Sequence, residues 1–121
     1  MSKLILLDTN VVIEHLRSGI LTAAASDTLF AISVITEAEL FQYAGMGHVE
    51  EQALNEFLEI TKIYLVDSRI ARLAASLGKT RKTDLPDLLI AATALEYGIP
   101  LITRNLRDFK NISDLVVRST L

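Results

Sequence analysis

Acidic side chains occur where buried segments of this 121-residue sequence end. The candidate positions are Asp8, Glu39, Asp87 and the Asn105–Asp108 turn. Carboxylates that are brought together repel one another, so one of them takes up a proton unless a cation lies between them. Oxygen ligands of this kind bind Mg²⁺ or Mn²⁺. Such ions suit the hydrolysis of a phosphodiester, because one ion lowers the pKa of an attacking water and a second, about 4 Å away, can hold the leaving oxygen.

The elements that must position these acids alternate between strands and helices. The continuous apolar run Leu4–Leu7 is typical of a strand that is buried on both faces of a parallel sheet. Further strands are predicted at residues 29–33, 63–66, 101–103 and 115–117, with helices between them. The pattern predicts a single α/β domain over residues 1–121, in which helices flank a mostly parallel sheet of four to five strands. The carboxyl ends of parallel strands share one edge, where ligands bind.

Local signals predict where the helices begin. Thr9 or Asn10 is a candidate N-cap for the helix after the first strand. A short helical piece is expected over residues 20–26. Thr36–Glu39 has the form T-x-x-E of a capping box, and Ser68 is a candidate cap for a later helix.

Each acid also has a purely structural interpretation. Asp8 could cap the first helix, and Glu39 could be the last member of the capping box. Asp87 would be favoured near a helix N-terminus by the macrodipole alone. Asp108 could simply be the residue that begins a turn. The hypothesis of a site therefore depends on all of these side chains meeting at one edge of the sheet.

Basic residues are concentrated in the second half of the chain. The net charge is −3, but residues 1–62 sum to −6 and residues 63–121 to +3. An uneven chain can present a local positive surface. Five cationic side chains adjoin the acids in sequence and are candidates to hold phosphates, although a solvated surface would look the same. They are Lys79, Arg81, Lys82, Arg104 and Arg107.

Other residue types narrow the chemistry. There is no cysteine, which rules out thiolate metal sites and disulfides and fits a reducing compartment. Zinc is a poor candidate, and His15 and His48 are interpreted as surface or helix-packing residues. Phe41, Tyr43 and Phe57 are interpreted as core or subunit-interface residues. With no membrane span or signal peptide predicted, we expect a cytoplasmic protein.

Four segments together resemble the motifs of PIN-domain ribonucleases, and most of all the VapC toxins of bacterial and archaeal toxin–antitoxin pairs. The segments are Leu6–Asn10, Ile35–Leu40, Leu85–Ala94 and Leu101–Phe109. They span almost the whole chain, in the family's order and at similar spacing. The resemblance implies a PIN-like three-layer sandwich and a Mg²⁺-dependent endoribonuclease, with Mn²⁺ as a possible substitute.

The resemblance also implies roles for single residues. Asp8, Glu39 and Asp87 would bind metal and support catalysis. The family's fourth acid often falls where this chain has Asn105, which brings no charge, so that Asp108 could supply the missing carboxylate. Three polar residues would orient ligands and waters. They are Thr9, Asn10 and Thr103.

The same resemblance implies partners. These are an RNA substrate, a second copy of the chain in a homodimer, and a cognate antitoxin that covers the acidic site. Operator DNA would be contacted only through the antitoxin. The RNA that is cleaved, the metal count and the antitoxin class are left open by the sequence.

Two alternatives remain at this stage. A phosphorylation-receiver domain has a similar length, sheet and acidic pocket, but it would carry adjacent acids after the first strand, where this chain has Asp8 and Thr9. A PIN-like scaffold without catalysis is favoured by Asn105 and disfavoured by the retention of Asp8, Glu39 and Asp87.

Overall fold

A parallel sheet of five strands lies between two layers of helices in the computed structural model, which describes residues 3–43 and 45–121. The strands are β1 (Lys3–Leu7), β2 (Thr28–Ser33), β3 (Lys62–Tyr64), β4 (Leu101–Ile102) and β5 (Val117–Arg118). The helices are α1 (Thr9–Ser18), α2 (Val34–Gln42), α3 (His48–Glu59), α4 (Ser68–Gly78), α5 (Leu85–Tyr97) and α6 (Leu106–Phe109). The predicted α/β sandwich is confirmed, and every described strand pair is parallel.

Strand β1 lies at the centre of the sheet, whose order is β3-β2-β1-β4-β5. The chain moves to one side of β1 for β2 and β3 and returns on the other side for β4 and β5. In open α/β sheets, the carboxyl edge at such a reversal forms the ligand-binding crevice. The backbone N–H of Asp8 donates to Ile102 O at 2.9 Å, so the pairing of β1 with β4 extends to the first acid.

The residues of β1 alternate between two hydrophobic cores, as the two-residue period of a strand requires. Ile5 and Leu7 pack in the core under α1, α2 and α3, whereas Leu6 packs in the core under α5 and α6. Helix α4 covers α5 from outside through Ile70 and Ala74. Burial on both faces explains the unbroken apolar run in this strand.

The N-cap residues of two helices lie at least one residue earlier than the sequence signals predicted. Asp8, rather than Thr9 or Asn10, is the N-cap of α1, and its carboxylate accepts from the Thr9 N–H. Asp67, rather than Ser68, caps α4. Both aspartates still have extended backbone angles, and their side chains can therefore accept from the free N–H groups of the first turn.

The predicted capping box at Thr36–Glu39 is wrong. Helix α2 begins at Val34, with Ser33 as its N-cap, and the Ser33 hydroxyl oxygen accepts from the Ile35 N–H at 3.0 Å. Thr36 and Glu39 therefore lie within the helix, three residues apart and on one face. Glu39 is thereby relieved of the structural role that competed with a functional one.

Several segments differ from the prediction in extent. Residues 20–26 form turns rather than a helical piece, and residues 106–109 form the short helix α6 rather than a plain turn. Strands β3 and β5 are shorter than predicted and shifted by one or two residues. Among the described helices, none is long and apolar enough to cross a membrane.

Candidate active site

The carboxylate of Asp8 is buried and held from two sides. Its exposed fraction is 5%. Oδ1 accepts from the Thr9 backbone N–H at 2.8 Å, and Oδ2 accepts from the Thr103 hydroxyl at 2.6 Å. Thr103 follows β4, so this bond joins the carboxyl ends of the two strands that flank the crevice. The side chain of Asp8 is thus fixed in orientation at the centre of the edge.

Glu39 reaches the same edge from α2. Its Oε1 lies 2.6 Å from the hydroxyl oxygen of Thr9, the first residue of α1. A carboxylate oxygen can only accept, so the Thr9 hydroxyl donates to Glu39. The adjacent residues Asp8 and Thr9 therefore tie α1 to both β4 and α2.

Asn105 and Asp108 extend this network on the other side of Asp8. The Thr103 hydroxyl oxygen accepts from the Asn105 N–H at 3.0 Å while it donates to Asp8. The Asn105 side-chain amide donates to Asp108 Oδ2 at 2.5 Å. A continuous series of hydrogen bonds thus connects Glu39 through Asp8 to Asp108, although Asp108 itself is exposed.

Asp87, in the first turn of α5, carries the clearest electrostatic signature of convergence. Burial, and then the negative charges of Asp8, Glu39, Asp108 and Asp84 in that order, together raise its pKa from 3.8 to about 6. No hydrogen bond from the described residues reaches its carboxylate. The carboxyl edge of the sheet therefore carries several carboxylates, and none of them forms an ion pair with a described cationic side chain.

This donor set fits a hard divalent cation in chemistry. It consists of carboxylates with one amide, and a cation would remove the repulsion that raises the pKa of Asp87. Within residues 3–43 and 45–121, however, no three acidic or imidazole side chains are close enough to ligate one ion as placed.

A basic cavity of about 500 Å³ adjoins the acids at Asp108. Its lining consists of Thr80, Arg81, Lys82, Thr83, Arg107, Asp108 and Asn111. Lys82 and Arg107 are exposed. The Arg81 guanidinium donates to Leu77 O and Asn111 O, both at 3.0 Å, so this residue also ties α4 to the segment after α6.

The other two candidate cations lie elsewhere. Arg104 forms a two-pronged ion pair with Glu14 of α1, at 2.9 and 3.1 Å, and donates to Ser119 O. This hydrogen-bonded pairing lowers the pKa of Glu14. Lys79 is exposed at the C-cap of α4. The structure therefore brings Arg81, Lys82 and Arg107 together beside the acids but leaves Arg104 engaged on α1.

A second cavity, of about 380 Å³, lies on the Glu39 side of the edge. Asn10 is exposed and lines it, together with Glu39, Gln42 and Tyr43. Asn10 is thus at the site but makes no side-chain hydrogen bond to a described residue.

The three aromatic residues divide between the core and the surface. Phe57 is buried in the core as predicted, but the exposed fraction of Phe41 is 60% and that of Tyr43 is 36%. Neither of these two is a core residue. The Tyr43 hydroxyl accepts from Arg17 Nη2 at 2.8 Å, because α1 and the end of α2 lie side by side.

Both histidines lie outside the acid cluster, as predicted. His15 packs against the ring of Phe57, with ring centroids 5.6 Å apart, and its Nδ1 accepts from the Leu21 N–H. Burial lowers its pKa. His48 is exposed at the start of α3.

Sequence reasoning missed one residue that touches the site network. Thr36 is fully buried on α2, and its hydroxyl oxygen lies 3.0 Å from that of Thr9. The T-x-x-E spacing contained this signal, since residues three apart share a helix face. It was interpreted as a cap because the start of α2 was placed too late.

Comparison with known proteins agrees with this geometry. The family model for the PIN domain matches residues 5–115. Ribonuclease VapC1 of Methanocaldococcus jannaschii is 32% identical over 116 residues, which cover 91% of this chain and 82% of that protein. Ribonuclease VapC19 of Mycobacterium tuberculosis is 33% identical over 121 residues, covering 91% and 95%.

A solved structure matches over a similar span. The chain is 31% identical to a protein in a toxin–antitoxin complex from Klebsiella pneumoniae, with a TM-score of 0.75 and coverage of 96% of this chain and 98% of the other. Together with the family match over most of the sequence, this resemblance settles the classification. The chain belongs to the PIN-domain family, among the relatives of the VapC ribonucleases.

Proposed function

We propose that this protein is a Mg²⁺-dependent endoribonuclease that acts as the toxin of a VapBC-type toxin–antitoxin pair. The observation that carries the proposal is the raised pKa of Asp87, which lies among other carboxylates. Burial and the carboxylates of Asp8, Glu39 and Asp108 raise its pKa to about 6, and none of these four carboxylates forms an ion pair with a described side chain. An edge with this much unbalanced charge is suited to a divalent cation.

The relatives support the reaction class. Two proteins that are more than 30% identical over nearly the whole chain are named ribonucleases. The matching chain from Klebsiella pneumoniae was solved in a toxin–antitoxin complex, which supports a cognate antitoxin as partner here. A homodimer, operator DNA contact through the antitoxin, and cytoplasmic location remain predictions from the family resemblance.

The residues at the carboxyl edge of the sheet have two proposed roles, which are to bind the cation and to orient the groups that bind it. Asp8, Glu39, Asp87 and Asp108 would hold Mg²⁺, with Mn²⁺ as substitute and Asn105 as a neutral oxygen donor. When bound, the cation supplies Lewis acidity for in-line attack of water on the phosphodiester. Thr103 and the Thr9 backbone hold Asp8, and the Thr9 hydroxyl holds Glu39.

The basic cavity supplies the binding energy for RNA. Lys82 and Arg107 are exposed beside Asp108 and could pair with a phosphate that flanks the cleaved bond. Arg81 contributes positive potential from a position that its two backbone contacts fix.

The test is cleavage of a broad RNA pool by the purified protein with Mg²⁺ or Mn²⁺ and with EDTA, followed by analysis of the product ends. Wild type should cleave only with the metal and should leave 5′-phosphate and 3′-hydroxyl ends. Asp8→Asn and Asp87→Asn should each lose at least about 100-fold in rate, because each removes a charged metal ligand.

Asp67→Asn is the matched control for Asp8→Asn. Asp67 is also an N-cap aspartate that follows a strand of the same sheet, but it follows the edge strand β3 and does not contribute to the pKa of Asp87. This variant should cleave as wild type does. A 2′,3′-cyclic phosphate product, or equal activity in wild type and both site variants, would contradict the proposed mechanism. Equal inactivity of a folded wild type across RNA classes would favour a binding scaffold.

A further inference from the structure

Three oxygen atoms, two of them on buried threonines, form a series between α2 and α1. Thr9 Oγ1 lies 3.0 Å from Thr36 Oγ1 and 2.6 Å from Glu39 Oε1. Thr36 is fully buried, and Thr9 is 9% exposed. The Thr36 hydroxyl is therefore shielded from water, and among the described residues its hydrogen-bond partner is Thr9.

Counting protons fixes the direction of each bond. A threonine hydroxyl has one proton to donate, whereas a carboxylate has none. Because the Thr9 proton goes to Glu39, the contact between the two threonines requires that Thr36 donate to Thr9. The proton order is thus from Thr36 to Thr9 to Glu39.

We propose that Thr36 is a positioning residue, which acts through Thr9 to fix the Glu39 carboxylate for a divalent cation. The inference rests on the proposed function of Glu39. By donating to Thr9, Thr36 removes the alternative in which Thr9 donates back to Thr36 and leaves Glu39 without a partner. Donation into an oxygen that itself donates also strengthens the second bond.

The helix geometry explains why this arrangement is stable. Thr36 and Glu39 are three residues apart in α2 and face the start of α1 together, while Leu40 packs into the core. The backbone of Thr9 is also held in place, because its N–H donates a hydrogen bond to the Asp8 carboxylate. One residue, Thr9, is therefore oriented by Thr36 and in turn contacts two of the proposed ligands.

The chain offers a matched control for removal of a buried hydroxyl. Thr93 is also fully buried in a helix, α5, but its hydroxyl donates to the backbone oxygen of Leu89, at 2.8 Å. Thr93→Val and Thr36→Val remove the same group from the interior. Only Thr36→Val should change the acidic site.

The experiment is calorimetric titration of Mn²⁺ into wild type, Thr36→Val, Thr36→Ser and Thr93→Val. Loss of a group that orients a metal ligand typically weakens metal binding by about 10- to 100-fold. We expect a Kd raised at least about 10-fold in Thr36→Val, and values within about threefold of wild type in Thr36→Ser and Thr93→Val. The serine retains the donating hydroxyl and therefore rescues binding.

A measurement on the metal-free protein accompanies the titration. NMR of labelled threonine should show one side-chain rotamer for Thr9 in wild type and Thr36→Ser, and averaging in Thr36→Val. If wild type binds Mn²⁺ and Thr36→Val binds it equally well with an unchanged Thr9 rotamer, Thr36 is a packing residue and the inference is overturned. If wild type does not bind Mn²⁺ at all, the proposed function fails and the inference fails with it.

Discussion

The hydroxyl of Thr103 donates to the buried carboxylate of Asp8 across 2.6 Å, although the two residues are 95 positions apart in the chain. This contact joins the carboxyl end of β1 to that of β4. Because a carboxylate can only accept, the single hydroxyl proton of Thr103 is donated to Asp8, while the hydroxyl oxygen accepts from the Asn105 N–H. Thr103 is therefore the residue that holds the first proposed metal ligand in its orientation.

Replacement of Thr103 tests this role. Thr103→Val should lower metal-dependent RNA cleavage by about 10- to 100-fold, because Asp8 loses the group that orients it. It should also lower the free energy of unfolding by about 1–3 kcal/mol, since a buried acceptor is left with one partner fewer. Cleavage assays and urea unfolding measure the two effects. Thr103→Ser should restore both, and failure of the serine to restore activity would show that packing, not the hydroxyl, matters.

Asp87 should make stability depend on pH in an unusual direction. Its pKa is raised from 3.8 to about 6 in the native state, so between these values the native state holds a proton that the unfolded state has released. The free energy of unfolding should therefore fall as the pH rises through this window.

Asp87→Asn removes this titration. In EDTA, the variant should melt at nearly the same temperature as wild type near pH 4 and several degrees higher near pH 7.5. Thermal melts across this range measure the difference. Mn²⁺ should then raise the melting temperature of wild type but not that of the variant. A wild type that gains stability relative to Asp87→Asn from pH 4 to pH 6 would contradict the account.

The fourth acidic position is predicted to be Asp108 rather than Asn105. Asp108 contributes to the raised pKa of Asp87, whereas Asn105 is uncharged and donates its amide to Asp108. Asp108→Asn should therefore weaken Mn²⁺ binding by about 10-fold or more, and Asn105→Ala by clearly less. Calorimetric titration compares them. The reverse order would assign the position to Asn105.

The basic cavity should act on RNA affinity rather than on the chemical step. Lys82→Ala and Arg107→Ala should each raise KM by about fivefold, with kcat nearly unchanged, because a charged hydrogen bond to phosphate contributes at least about 1 kcal/mol. Each should also make KM less sensitive to salt. Lys3→Ala is the control, since Lys3 begins β1 at the opposite edge of the sheet and is exposed. A loss in kcat alone would place these residues in the reaction itself.

The location of the acids at the carboxyl edge of the sheet was predictable from the sequence, because it follows from the parallel order of the strands. A parallel sheet places the residues after each strand at one edge, and Asp8 is recognisable from the apolar run that it ends. Asp87 was recognisable from the proline in the first turn of its helix. The match of four motifs to one family supplied the order of the acids, which periodicity alone does not contain.

Side-chain partners were not predictable in the same way. Arg104 adjoins the acids in sequence, but its long side chain pairs with Glu14 on α1, a contact that requires knowledge of the tertiary packing. Thr36 gave a valid capping signal, yet Ser33 is the N-cap of α2 because β2 ends at that residue. The predicted strand already ended at Ser33. What the sequence did not specify is that α2 follows β2 directly, with no loop between them.

The most direct test of the account is to locate the cation. Crystals grown with Mn²⁺ should give an anomalous scattering peak at the carboxylates of Asp8 and Asp87 in wild type, and no peak there in Asp8→Asn. Asp67→Asn should retain the peak. The absence of any peak in wild type at saturating Mn²⁺, or a peak that Asp8→Asn leaves unchanged, would contradict the claim that this edge is a metal-dependent nuclease site.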